Sequence, residues 1–211
     1  IIFLTTQGGK NFKSLSAAAK KNLLKIKLGF DDKSAKKIKA IESRTNHDVK
    51  AVEYFIRDEM SKYSNLKKYQ HLVHFALTSE DINSLSYAVL LRNAIDIYLK
   101  RLNALIKDLG TKSKSWASIP VLARTHGQAA SPSSLGKEIK VFHHRLSRQK
   151  NILKKMKPLA KFGGATGNFH TLDLADSGID WLSKTKKFLS LFKVDQNPMT
   201  TQIEPHDGIA E

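Results

Sequence analysis

Apolar residues recur every three or four positions along most of the chain, and that period predicts helices. Residues 13–28 and 33–42 carry the spacing, separated by a turn-like GFDD in which Asp31 or Asp32 is a plausible N-cap. A third helix begins near TNHDVKAVEYFIRDEM, with Val49, Val52, Phe55, Ile56 and Met60 as one apolar stripe, and stops at the polar SKYSN. The most regular segment, 79–109, has neither glycine nor proline and places Ile82, Leu85, Val89, Ile95, Leu99, Leu102, Ile106 and Leu109 at mixed threes and fours. At 1.5 Å per residue it is roughly 45 Å long, a length suited to a bundle. TSED at its start supplies capping hydroxyls and first-turn carboxylates. A second apolar face, Ala88, Leu91 and Ala94, implies burial on more than one side.

Beyond IPVLARTHGQAA, Ser131 and Pro132 form an N-cap and N1 pair for a helix running to about Met156. Its stripe is Leu135, Ile139, Phe142, Leu146 and Leu153, and Pro158 ends it. KFGGATGNFH is a glycine-rich loop with room for a short strand, and 176–192 is a further amphipathic helix opened by Asp176. No βαβ alternation occurs, so the expected fold class is all-α, with long antiparallel helices. The composition shift near 61–70 sets the expected domains: an N-terminal helical domain over 1–68 and a central helical-bundle domain over 69–211.

Composition changes this picture little. The chain has 211 residues with 41% hydrophobic content, enough for a sizeable core. With no cysteine, neither a disulfide framework nor a thiolate metal site can be built, which fits a reducing compartment and makes a cytoplasmic location the expectation. The leading IIFL lacks the charged start and cleavage site of a signal peptide, and no run reaches membrane-span length. A formal charge of +17 predicts a surface that attracts anions. The lysines are spread along helical segments without aromatic interleaving, so they read as solvated helix faces, and a basic nucleic-acid-binding module is the alternative.

Candidate chemistry lies in four polar clusters. His47, beside Asp48, sits where a helix starts and where free backbone N–H groups can hold an anion. His74 precedes a helix whose N-terminus offers the Thr78 and Ser79 hydroxyls. His126, between Thr125 and Gly127, titrates near neutrality and suits protonation of a leaving nitrogen. NPMTTQIEPHD gathers Thr200, Thr201, Gln202, Glu204 and His206 after a proline. His71 and His74 stand at i, i+3 without a third ligand nearby, so no metal site is expected. GGATG lacks the strand–turn–helix setting of a dinucleotide fingerprint, and its G-x-x-G alone suggests a nucleotide-clamping loop. Histidines 143 and 144 face polar helix surface and take no role.

Taken together, RTNHDVKAVEYF (44–55), HFALTSEDIN (74–83), ARTHGQAASPSSLGKE (123–138), GGATGNFH (163–170) and TTQIEPHD (200–207) resemble the adenylosuccinate lyases of the fumarase/aspartase superfamily, in their bacterial-type branch. The resemblance implies β-elimination of fumarate from adenylosuccinate and from the succinyl-carboxamide ribotide of purine synthesis, without metal or organic cofactor. It implies His126 as general acid, Thr125 in contact with substrate, and His47 and Asp48 in substrate binding. His74 would lie near the anionic end or orient the acid. Thr78 and Ser79 would hold the succinyl carboxylates, and Gln202 would bond the substrate across the cleft. It further implies a homotetramer with active sites shared between subunits. The family's base, a serine on a mobile glycine- and methionine-containing loop, lies C-terminal to every residue here. Its N-terminal arginine–tyrosine contact has no counterpart in IIFLTTQGGKNF, so the resemblance implies a partial chain, inactive alone.

Overall fold

In the computed structural model, which describes residues 1–210, helices form where the apolar period is strongest. The chain divides into two compact units, Ile1–Val89 with the segment from Leu159 onward, and Leu90–Pro158. The expected boundary at residue 68 lies inside the first unit, within a 3-10 turn over Lys67–Leu72.

The first unit starts with α1 (Ile2–Gln7) and α2 (Ala17–Leu28), the latter capped by Ser16, whose Oγ accepts the Ala19 N–H. Helix α3 (Asp32–Thr45) is capped by Asp31, whose Oδ1 accepts the Ser34 N–H at 2.8 Å. It ends at Asn46 in the left-handed region (φ 49°), a conformation asparagine tolerates better than most residues. That reversal lets α4 (Asp48–Ser61) start two residues later. Val49, Phe55 and Met60 of the expected α4 stripe are buried. After the 3-10 turn, α5 runs over Ser79–Ser115 and passes from the first unit into the second. The core of the first unit centres on Met60, Leu66, Leu72, Leu172, Trp181 and Leu189, each almost fully buried and contributing about 1.5–3 kcal/mol.

Helix α5 has 37 residues, about 55 Å, and overruns the expected end at 109 because Gly110 continues it. The missing Cβ is used: one built at Gly110 would stand 3.2 Å from the His143 ring. Among the described residues no helix is long and apolar enough to cross a membrane.

The second unit corrects the expected cap at Ser131–Pro132. Residues 120–134 are instead an antiparallel hairpin, β1 (Pro120–Thr125) with β2 (Gln128–Ser134), and the helix α6 (Leu135–Leu153) is capped by Ser134, whose Oγ accepts the Lys137 N–H. Pro132 sits opposite Leu122 in a two-stranded ribbon, where a missing donor is tolerated. The register shifts between Leu122 and Arg124, a bulge that absorbs the extra β2 residue. The close approach of the start of α6 to the end of α5 depends on Gly136, whose added Cβ would meet Ser113 O at 2.4 Å.

Back in the first unit, β3 (Leu159–Ala160) pairs in parallel with β4 (Asp195–Gln196). Between them lie α7 (His170–Ala175) and α8 (Trp181–Ser190), and α9 (Asp207–Ala210) follows β4. Asp176 closes α7 and Asp180 opens α8, correcting the single helix expected over 176–192. The protein is therefore predominantly helical, with one hairpin and one short parallel pair beyond the all-α expectation.

Candidate active site

Two helix N-termini meet in the first unit, and four of the expected site residues stand on them. His47 is the N-cap of α4, and its Nδ1 accepts the Lys50 N–H at 3.3 Å. That leaves the proton on Nε2, which lies 3.2 Å from Ser79 Oγ at the first position of α5 and donates to it. Asp48 Oδ1, 3.3 Å from the same Nδ1, becomes an ion-pair partner only when the ring takes a second proton. Asp48 Oδ2 accepts from Asn83 Nδ2 at 3.3 Å, giving a second link between the helices. The Val49 N–H, then Asn83 and His47, hold the Asp48 carboxyl below the ordinary aspartate range.

A depressed carboxyl pKa stabilises the fold above the ordinary range, and that contribution is lost as pH falls through the folded value. Thermal melting between pH 6 and pH 3 is expected to show a wild-type loss that Asp48→Asn flattens, by about 0.2–1 kcal/mol because the carboxylate is largely exposed. Identical slopes for the two proteins would remove Asp48 from the link.

Thr78 is held from behind: its N–H donates to Asp81 Oδ2 at 2.9 Å, the reverse half of a capping box. Its partner carboxylate is buried and takes three more donors. Lys161 Nζ and the Gly163 N–H reach Oδ1 at 2.8 and 3.0 Å, and the Gly164 N–H reaches Oδ2 at 3.1 Å. The glycine-rich loop is thereby fastened to the start of α5. Its Gly164 N–H is spent on Asp81 and its Gly167 N–H on Gly164 O, which removes the backbone donors a nucleotide-clamping G-x-x-G needs.

The loop also abuts the two segments beside it. Gly167 has φ 79°, and a Cβ there would fall 2.2 Å from Thr200 O, so the Thr200–Thr201 backbone, which leads into exposed Gln202, lies directly on the glycine. Gly164 (φ 75°) lies less tightly against Ala76 O, two residues before Thr78, with 3.2 Å between that oxygen and an added Cβ.

His74 takes a left-handed backbone (φ 64°), and its Nδ1 is 3.8 Å from Glu53 Oε2, an ion-pair distance too long for a hydrogen bond. Glu53 is buried and is also met by Lys50 at 3.0 Å and Arg57 at 2.8 Å. His74 Nε2 is buried without a hydrogen-bond partner among the described residues. His74 also lines an apolar cavity of about 400 Å³ with Phe75, Leu77, Ile82 and Leu85, whose walls suit side chains more than carboxylates.

Two residues quoted only as part of a motif prove structural. His206 (φ 62°) places Nε2 2.8 Å from Glu80 Oε1 and Nδ1 3.3 Å from Glu204 Oε2, and its ring meets Tyr87 edge-on. Asn197 donates to Glu204 Oε1 at 2.9 Å. These contacts tie the segment that carries Gln202 to the first turn of α5. The carboxylate of Asp81 belongs to the TSED capping segment, but Lys161, which pairs with it, stands 80 positions away and no local pattern joins the two.

His126 and Thr125 belong to the second unit. The pair Thr125 and Gln128 closes a two-residue turn made of His126 (φ 52°) and Gly127 (φ 76°), the mirror-image turn that fits the strand twist of a hairpin. The His126 ring is exposed and makes no hydrogen bond or ion pair among the described residues, so either nitrogen is available to a ligand. Among the described residues no group of three or more histidine, aspartate or glutamate side chains is placed to hold a metal ion.

Residues 5–211 match a family model described as Lyase. The chain belongs to this lyase family. It is 44% identical over 183 residues to adenylosuccinate lyase of Buchnera aphidicola subsp. Acyrthosiphon pisum (strain APS), covering 86% of this chain and 40% of that protein. To adenylosuccinate lyase of Escherichia coli (strain K12) it is 43% identical over 190 residues, with 88% and 41% covered. The lyase chain thus spans about 40% of the length of the curated relatives it matches. Its fold resembles that of a 3-carboxy-cis,cis-muconate lactonizing enzyme from Pseudomonas putida, with TM-score 0.68, 20% identity, and 85% of this chain and 39% of that one covered. It is also similar to a fumarate lyase from Mesorhizobium sp. BNC1, with TM-score 0.61, 21% identity, and 88% and 45% covered.

Proposed function

We propose that the full-length protein is an adenylosuccinate lyase. The observation that carries this reading is the junction of α4 and α5, where His47, Asp48, Thr78 and Ser79 gather at two helix N-termini. Such an end offers hydroxyls and a positive dipole to a carboxylate. The substrate carries two succinyl carboxylates and a phosphate, and relatives at 43–44% identity bear that enzyme's name.

The reaction balances as follows. A base takes the proton from the carbon next to one carboxylate, the C–N bond breaks, and the released electron pair forms the double bond of fumarate. The departing nitrogen takes a proton from His126 and leaves as a neutral amine. Thr125 stands beside the acid, Thr78 and Ser79 hold carboxylate oxygens, His47 and Asp48 bind the substrate, His74 faces its anionic end, and Gln202 bonds it from the loop after Thr201. In this reading the base is the serine of the family's mobile glycine- and methionine-containing loop. No metal or organic cofactor takes part.

In this reading α5 and α6 are antiparallel members of a bundle shared by a cytoplasmic homotetramer. Exposed Leu90, Ile97, Tyr98 and Leu105 on α5 support the assembly, since a contiguous apolar face needs cover.

The test offers full-length protein adenylosuccinate, the succinyl-carboxamide ribotide and argininosuccinate, following fumarate by absorbance. Release from the first two and not the third is expected. Preference for argininosuccinate, or no fumarate from any, would sink the assignment.

A further inference from the structure

Asp81 and Lys161 take no part in the elimination, yet they form the most buried ion pair of the first unit, with side-chain exposures of 1% and 0%. The carboxylate accepts two donors on each oxygen, which fills the acceptor capacity of an ionised aspartate. Lys161 Nζ bonds both Asp81 Oδ1 and Gly164 O at 2.8 Å, and the Lys161 N–H donates to buried Ser84 Oγ at 3.2 Å. One buried charge pair therefore sets the Thr78 amide at the start of α5 and the backbone of the glycine loop. The loop in turn supports the Thr200–Thr201 backbone through Gly167.

We infer that Asp81 and Lys161 are positioning residues for substrate carboxylate binding, acting through Thr78 and Ser79 on one side and through the glycine loop and Gln202 on the other. The inference rests on the lyase reading. The pair touches neither the breaking C–N bond nor His126, so its loss weakens ground-state and transition-state binding alike and appears in KM.

Lys161→Met keeps an unbranched side chain of similar length and leaves Asp81 its three amide donors. Steady-state kinetics on the full-length protein are expected to show KM for adenylosuccinate raised about tenfold or more with kcat within about threefold, per folded molecule. Hydrogen exchange at the Gly163 and Gly164 amides should accelerate at least about tenfold in the same variant, since their shared acceptor is loosened. A pair that serves stability alone would lower the melting temperature and leave KM of the folded fraction unchanged, and that result overturns the inference. If Lys161→Met does not fold, Ser84→Ala is the second probe. It keeps the ion pair and removes only the acceptor of the Lys161 N–H, with a KM rise of about two- to fivefold expected and an unchanged KM overturning the proposal. Wild-type protein that releases no fumarate defeats the lyase reading, whereas normal wild-type turnover with unchanged KM in the variants defeats this inference alone.

Discussion

Replacing His126 by alanine in the full-length protein is expected to lower kcat for adenylosuccinate cleavage by about 10²- to 10⁴-fold, the usual worth of a positioned general acid. Without the donated proton the nitrogen leaves as an anion, and no nearby group among the described residues bonds the ring and could act in its place. Alanine carries a second, unrelated effect. His126 has φ 52° in a tight turn, a left-handed conformation that histidine and asparagine adopt more readily than alanine, so alanine adds strain there. His126→Asn separates the two effects, because asparagine accepts this conformation and cannot serve as the acid. The asparagine variant should lose as much kcat as the alanine variant while melting closer to wild type than the alanine variant does. Turnover near the wild-type rate in His126→Asn would remove the acid role.

The same turn shows why part of the fold escaped a reading by period. A hairpin announces itself through alternation and an X-Gly turn. Here PVLART alternates weakly, and QAASPSS is short, polar and interrupted by Pro132. Serine before proline at 131–132 is a strong local cap signal, and Ser134 carries the same chemistry three residues later. Only the pairing with β1 decides between them, and that pairing is a contact across the turn. Gly110 works in the opposite direction: a glycine at the end of an apolar period reads as a stop, whereas here it makes room for the His143 ring.

Three helix starts were legible where those of α6 and α8 were not, because a cap acts on residues two or three positions away. Asp31, His47 and the TSED segment all cap as their side chains dictate. For that reason the sequence pattern already grouped His47 with Asp48 and Thr78 with Ser79. What it could not supply is the joining of those groups through His47 and Ser79, 32 positions apart, or of Asp81 and Lys161, 80 apart. A lysine at 161 in a strongly lysine-rich chain carries no sign that it is the fully buried one. The glycines nearby do carry a sign in retrospect: two with positive φ, each pressed against a carbonyl oxygen, mark a loop packed backbone to backbone.

Asp81→Asn should cost about 3–5 kcal/mol of stability, the penalty for leaving a buried charge without its counter-ion. At about 2–4 °C per kcal/mol for a chain of 150–250 residues, melting falls by roughly 6–20 °C. The loss has two parts. Lys161 Nζ keeps only Gly164 O, and the asparagine amide group points two donors into a site where four donors already converge. Lys161→Met is the milder change, because the carboxylate it leaves behind retains three backbone N–H donors. The double variant Asp81→Asn/Lys161→Met removes the stranded ammonium and should melt above Asp81→Asn alone, a coupling that a double-mutant cycle measures directly. If Asp81→Asn melts like wild type, or the double variant is additive, the pair is not coupled and the glycine loop is held to α5 by backbone packing alone.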